Sequence, residues 1–444
     1  MSTYDAVPYT SLPYPRTHPD HLHAMARLFG VRAASVTACR VLEIGCGSAG
    51  NLVGMAVDLP EATFVGVDPS EGEIARGRAL AEAVGSTNVT LHVGSVDAVD
   101  GPFDYVIAHG VLSWVAPEVR RAILEQGRAR LSQNGVFYAS YNVFPGWHLR
   151  CAVRGMLQQH GSEGDPTARL RDARTFLDWL SARVGRDGGA FRAVLDEEVE
   201  RLAGADDAYF FHEHLEEHNH PLWFRDFAAE ARELGLQWLC EADPAATVRA
   251  RAAPRAFEAL RAVAGDDPIS IEQHFDFLRG RSFRASLLVH LEHVRREVSG
   301  EELVDLVAAS RGPGDLWIED ATLAEALARL SSRWPDGAPI AELSDDPAAL
   351  ADALAPLHAA GVVELRARVL GLAGEGLERP WASPLARLQA RGPARVTNLR
   401  HEPIDLSADE RAVLVRLDAT AVPAADEAIV RRLAQLAFLR DGPR

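Results

Sequence analysis

Lysine is missing from the whole chain of 444 residues, so all 46 of its basic side chains are arginine. Abundant Ala, Arg and Gly fit the codon bias of a GC-rich genome, the plain reading of that absence. Cysteine is nearly as scarce: Cys39, Cys46, Cys151 and Cys240 are scattered without C-x-x-C spacing, which excludes a disulfide framework and a cysteine zinc site. No uncharged apolar run reaches the ~18 residues of a membrane helix, and the opening MSTYDAVPYTSLPYP lacks a basic segment followed by an apolar one. The expected location is therefore cytoplasmic, with no membrane partner. Positive charge is also short. A formal net charge of -17 repels a phosphate backbone and argues against nucleic acid as substrate. The remaining composition is globular, 47% hydrophobic and 25% charged, in a chain too long for one ordinary core, which predicts two or three domains.

The informative stretch is VLEIGCGSAGN, residues 41–51. Val41, Leu42 and Ile44 read as a short buried strand that runs into Gly45, Gly47 and Gly50, spaced G-x-G-x-x-G. Glycines at this spacing let the backbone turn tightly and approach a nucleotide where a side chain would occupy the ligand's volume. A second strand over 62–67 ends in Asp68, close to the roughly 20-residue spacing at which a carboxylate meets ribose hydroxyls. Glu43 before the glycines and Cys46 between them fit the E/D-x-G-x-G form of S-adenosylmethionine (SAM) enzymes better than the dehydrogenase form.

Ahead of this unit, residues 4–23 are rich in Pro, Tyr and His and predict an extended arm leading into a helix over 19–29, either a packing strap or a lid. After it, helices at 51–59, 71–83 and 119–131 alternate with strands at 89–93, 103–108 and 135–140. Ligands in such sheets sit beyond the carboxyl ends of the strands, so His109 and Trp114 after the fourth strand border the expected site. Tyr141, Asn142, Phe144, Trp147 and His148 follow the fifth strand at the same edge. From about residue 149 the pattern turns helical, with a joint at 161–166 and amphipathic helices at 169–180, 191–202 and 222–239. Between them, residues 212–220 (HEHLEEHNH) invite a metal reading, but Glu216 stands where H-E-x-x-H needs its second histidine, so a solvated, capped helix segment is expected and no metal. FDFLRGRSFRASLLVH, 275–290, ends in an apolar strand or helix and reads as core packing with snorkelling arginines. Helix-helix-strand periodicity over 322–330, 347–360 and 362–368 suits a winged-helix-like module, and 383–438 one further small helical unit.

YDAVPYTSLPYPRTHPDHLHAMARLFG, VLEIGCGSAGN, FDYVIAHGVLSWV and GVFYASYNVFPGWH resemble bacterial class I SAM methyltransferases that carry an appended methyltransferase regulatory domain. HEHLEEHNHPLWFRDFAAEARELGLQWLCEAD and FDFLRGRSFRASLLVH resemble that regulatory domain. RLQARGPARVTNLRHEPIDLSADERAVL is similar to the C-terminal part of the same group, which includes protein-lysine methyltransferases acting on an outer-membrane protein. The resemblance implies an α/β fold with a Rossmann-like methyltransferase domain (1–155), a mainly helical regulatory domain (156–298) and a winged-helix-like C-terminal domain (299–444). It implies SAM as cofactor, held by Glu43, Gly45, Cys46, Gly47, Gly50, Asn51, Asp68 and His109, with Ser95, Val96 and Asp97 in the loop that commonly holds the adenine. Ser95 and Val96 fall where Gly-Asp-Ala is usual.

Methyl transfer needs a nucleophile about 3 to 3.5 Å from the methyl carbon, in line with the departing sulfur, and little acid-base machinery. A lysine acceptor must first lose its proton. Desolvation against Trp114, Tyr141 and Trp147 lowers an amine's pKa, and His109 or His148 stands ready to take the proton. Three function classes follow: a protein-lysine methyltransferase, whose lack of lysine keeps it from modifying itself; a small-molecule N- or O-methyltransferase; and a regulatory protein that binds SAM without using it. An open acidic groove favours the first and a closed apolar cavity the second. Nothing in the sequence sets the oligomeric state.

Overall fold

A computed structural model describes Val7 and residues 11–161, 164–185, 188–247, 254–296, 298–373, 377, 379–419 and 424–442. The rest of the expected arm (4–6 and 8–10) and positions 162–163 of the expected joint lie outside the described residues. A seven-stranded sheet forms the centre, built from β1 (Arg40–Ile44), β2 (Thr63–Asp68), β3 (Val89–Val93), β4 (Phe103–Ala108), β5 (Leu131–Asn142), β6 (Leu236–Glu241) and β7 (Phe283–His290) in the order β3-β2-β1-β4-β5-β7-β6. The first five are parallel and β7 is antiparallel to both β5 and β6. Both faces of β1 and β4 are buried, the reason these strands read as nearly unbroken apolar runs.

The first helices are α1 (Pro19–Leu28), α2 (Gly50–Asp58), α3 (Glu71–Ala83) and α4 (Pro117–Ala129). They cover the sheet in two layers: α1 and α2 share a core with Tyr105 and Phe64, while Ile123 and Leu124 of α4 pack with Phe103 and Phe137. A helical bundle then interrupts the sheet, made of α5 (Gly146–His160), α6 (Pro166–Arg183), α7 (Gly189–Ala203) and α8 (Asp207–His214), with its own core of Leu157, Leu177, Leu195 and Phe211. The chain returns through α9 (Phe224–Glu233) to β6, and through α10 (Pro254–Ala264) and α11 (Pro268–Arg279) to β7.

The segment expected to be mainly helical contributes two strands to the central sheet. The helix expected over 222–239 stops at Glu233, Gly235 turns at φ 82°, and LQWLCE continues as β6. Nor are the arginines of 275–290 all snorkelling. Arg284 is fully buried, its guanidinium 2.6 Å from Glu241, 2.9 Å from Asp276 and 3.1 Å from Glu272, and it lies over the ring of Phe224.

Beyond residue 298 come β8 (Val307–Ala309), α12 (Ala321–Arg333), β9 (Ala338–Pro339), α13 (Pro347–Ala359) and β10 (Glu364–Arg366). This helix-helix-strand unit forms a small sheet, β10-β8-β9, but it shares one continuous core with the outer face of α1 and α2. The expected boundary at 298/299 therefore divides no core. A last unit does have its own: β11 (Pro380–Ala382), α14 (Pro384–Gln389), β12 (Val396–Thr397), β13 (Pro403–Ile404), α15 (Ala408–Leu414), α16 (Glu427–Gln435) and β14 (Leu439–Asp441), packed around Leu414, Leu433 and Phe438. No helix among the described residues is long and apolar enough to cross a membrane.

Candidate functional site

The carboxyl ends of β1, β2 and β4 meet at the glycine turn. Gly45 and Gly47 have positive φ (72° and 51°), as does Ala49 at 57°, so the chain folds back before α2 begins at Gly50. Gly45 and Cys46 both donate their N–H to the Val67 carbonyl, and Gly47 donates to Asp68 Oδ2 at 2.9 Å. Ser70 donates to the other Asp68 oxygen, which ties the carboxylate across the turn. A Cβ on Gly45 would stand 2.5 Å from Val111 Cγ2, whereas at Gly47 and Gly110 nothing lies within 4 Å. The turn is therefore packed beneath and open above.

Glu43 is buried beside this turn. Its Oε1 accepts from Asn51 Nδ2 at 2.7 Å, and its Oε2 is buried with no hydrogen-bond partner. Burial pushes its carboxyl up to about 7, with the Asp68 charge adding to the rise and the Asn51 hydrogen bond opposing it. Cys46 is buried too, and burial raises its thiol, so it is a small apolar wall and not a thiolate.

At the end of β4, His109 Nδ1 lies 2.9 Å from the Tyr138 hydroxyl, and Tyr14 of the arm covers the imidazole with ring centroids 3.7 Å apart. Burial pulls His109 down to about 4, so it is neutral near pH 7. The arm is anchored on both sides of the turn: His212 of α8 lies 2.8 Å from the Val7 carbonyl, and Gly50 donates its N–H to Ser11 Oγ at 2.7 Å.

The aromatic cluster expected at the acceptor side does not assemble as one group. Tyr141 is buried, stacked on Phe227 at 3.9 Å, with its hydroxyl on Ser286, so its side chain belongs to the core. Trp147 is also buried, under the Arg150 guanidinium and edge-on to Trp114 at 6.4 Å, with its Nε1 unpartnered. His148 is exposed and stacks on Phe144 outside this pair. In the loop after β3, Val96 is buried, while Ser95 and Asp97 are exposed and face each other at 3.3 Å. Of the histidines read as a solvated segment, His212 and His214 are buried, paired with Glu216 and Glu198, while His218 is exposed and lies 3.4 Å from His220. Among the described residues no three His, Cys, Asp or Glu side chains converge on a metal position.

A cavity of about 720 Å³ opens between Pro69 and Trp114 on one side and the helical bundle on the other, where Leu157, Arg169, Asp172, Glu216 and Glu217 line it. Trp114 was singled out by its place after the fourth strand. Tyr14, Thr17 and His401 were not. The proline-rich arm was the available signal for the first two, and a lone histidine 350 residues from Asn51 carries none.

Family profiles match in three places: "Methyltransferase domain" over 42–137, "Predicted methyltransferase regulatory domain" over 206–290, and "PKMT, C-terminal winged helix domain" over 378–437. The last falls within the expected winged-helix-like C-terminal domain (299–444), on its final unit and not on the 322–368 stretch whose periodicity suggested the module. The uncharacterized protein RP789 of Rickettsia prowazekii (strain Madrid E) is 37% identical over 305 residues, 68% of this chain, but the chain spans only 55% of that relative's length. RP028 of the same strain is 32% identical over 236 residues, 52% of this chain and 94% of its own. The structure of PKMT2 from Rickettsia typhi has the same fold, at a TM-score of 0.82 and 23% identity over 97% of this chain and 100% of that one, and in complex with AdoHcy the TM-score is 0.81. Matched in three parts by these profiles and along nearly all of RP028, the chain belongs to the methyltransferases that join a class I methyltransferase domain to a methyltransferase regulatory domain and a PKMT C-terminal winged helix domain.

Proposed function

We propose that the chain is a SAM-dependent methyltransferase acting on lysine side chains of a protein substrate. The observation that carries the donor half is the glycine turn: backbone open above Gly47 and Gly110, beside a buried Glu43 with an unpartnered oxygen and the Asp68 carboxylate ending β2. SAM has a cationic ammonium and ribose hydroxyls, and these two carboxylates are acceptors for such groups. Gly45, Cys46, Gly50 and Asn51 shape the turn from below, His109 borders it at β4, and Ser95, Val96 and Asp97 flank it after β3. Bound SAM would supply a methyl carbon on a sulfonium; a neutral amine would attack that carbon in line, and the C–S bond would break to release the neutral thioether.

For the acceptor, the supporting feature is the cavity beside Trp114. Its wall carries three carboxylates, Asp172, Glu216 and Glu217, against the one guanidinium of Arg169, an excess that favours a basic side chain even with Asp172 on His160 and Glu216 on His212, and the indole of Trp114 strips water from the amine. Trp147 backs Trp114 from the core, and Tyr141 and His148 take no part. With His109 already neutral and weakly basic, the ammonium proton leaves to solvent before transfer. The PKMT profile and the fold shared with PKMT2 point the same way. The test is transfer of labelled methyl from SAM into host lysate, separated by size and hydrolysed to amino acids. Label recovered as methyl-lysine from protein is expected; label confined to small molecules overturns the acceptor, and no label in any fraction overturns the donor.

A further inference from the structure

Asn51, behind the glycine turn on α2, uses its amide to capacity. Nδ2 donates to Glu43 Oε1 at 2.7 Å and to the Thr17 hydroxyl at 3.0 Å, while Oδ1 accepts the Tyr14 N–H at 2.9 Å and faces His401 Nε2 at 2.8 Å. An amide has two donors and an oxygen with two lone pairs, so the Tyr14 N–H fixes which end is oxygen, and His401 must donate from Nε2. His401 belongs to the winged-helix unit and is held there at a left-handed φ of 62°. Its ring lies against α2 where Gly54 has no side chain, since a Cβ there would meet His401 Cε1 at 2.8 Å. The far end of the same helix is also held from the C-terminal third of the chain: Arg440 reaches Asp58 at 2.7 Å, and Arg368 pairs with the same carboxylate.

We infer that the winged-helix unit completes the donor site, with His401 as a positioning residue that orients Asn51 and, through it, the Glu43 carboxylate. The inference rests on the proposed reading of the glycine turn as the SAM site. It makes donor affinity depend on how the C-terminal unit is seated, so a substrate that engages this unit also adjusts the grip on SAM.

The experiment is calorimetry of SAM binding to the full chain without acceptor, on wild type, His401→Gln, His401→Met and Gly54→Ala. Gln keeps a donor near the position of Nε2, whereas Met fills the volume without one, and both meet the same left-handed backbone. The expected result is affinity near wild type for Gln and weaker by about three- to tenfold for Met, the scale of one hydrogen bond. Gly54→Ala displaces the imidazole without removing any polar group and favours the helix, so it is expected to weaken binding by the same three- to tenfold, independently of whether the Met variant folds. A merely structural role predicts shifted melting temperatures with equal SAM affinity in all four proteins, and that result overturns the inference. Wild type that does not bind SAM at all overturns the donor assignment itself.

Discussion

Tyr14 lies on the imidazole of His109, ring centroids 3.7 Å apart, although one belongs to the amino-terminal arm and the other ends β4. Burial pushes the Tyr14 phenol up to about 12, so it stays neutral as a roof over the turn. The contact comes from the ring and not from the hydroxyl. Tyr14→Phe is therefore expected to keep kcat/KM within about twofold, and Tyr14→Ala to lose on the order of tenfold, the size of an aromatic pair with its burial. Equal losses in both variants assign the role to the hydroxyl instead.

Two glycines two residues apart should fail differently. Gly45→Ala forces a Cβ to within 2.5 Å of Val111 at a φ of 72°, so its main effect is a lower melting temperature. Gly47 has no neighbour within 4 Å of that position, and an alanine there meets mild backbone strain of about 1 kcal/mol but intrudes where the donor is proposed to lie. Thermal melts paired with SAM titration should show affinity falling in Gly47→Ala with little loss of stability. Wild-type affinity in Gly47→Ala would remove the turn from the donor site.

Glu43 gives a pH dependence of known sign. Its carboxyl stands at about 7 in the folded chain against an ordinary 4.5, chiefly through burial. A raised acid stabilises the empty protein below the unfolded value and loses that contribution as pH rises through about 7. Binding a cation favours the ionised form, so SAM affinity should strengthen from pH 6 to 8. In Glu43→Gln both trends should flatten. Parallel curves for the two proteins, in melting and in titration, refute this account.

The five parallel strands were legible because each is a short apolar run set between periodic helices. The turn at Gly45 and Gly47 and the end of β2 at Asp68 were legible from the glycine spacing set between two strands. β7 was legible only as a strand-or-helix alternative, because the α5–α8 bundle separates it from β5, and β6 was not legible, since LQWLCE continues the leucine spacing of the helix before it; only Gly235 marks the break. Tyr141 and Trp147 were placed at the right edge but with their side chains toward the wrong layer, because the pleat sends Tyr141 to Phe227 and α5 turns Trp147 inward. Arg284 illustrates a different limit. Glu272 and Asp276 one helical turn apart mark one face of α11, but their third partner for the guanidinium, Glu241, comes from another strand.

That cluster predicts an effect on stability. Arg284→Met leaves Glu241, Glu272 and Asp276 buried around an apolar side chain, and breaking such a pair costs about 3 to 5 kcal/mol. Because Arg284 pairs with Glu241 between β7 and β6, the loss should appear as a lower urea midpoint. An unchanged midpoint would mean that water enters the cluster and hydrates the carboxylates.

The absence of lysine makes the acceptor assignment directly readable. No side chain of this protein can yield methyl-lysine, so any found after a reaction of purified enzyme, SAM and a candidate protein comes from the partner. The reacting amine has an ordinary pKa near 10.4, and in this reading its neutral fraction sets the rate. Transfer at subsaturating acceptor should therefore climb close to tenfold per pH unit between about 7 and 9, as long as deprotonation precedes displacement. Trp114→Ala should lower that rate more than it lowers SAM affinity, because the indole lines the acceptor cavity and desolvates the amine. Transfer to a carboxylate, already ionised over this range, has no such slope. Peptide mass spectrometry locating the label on Asp, Glu or hydroxyl side chains, together with a flat pH profile, would leave the donor site standing and reject lysine as the acceptor.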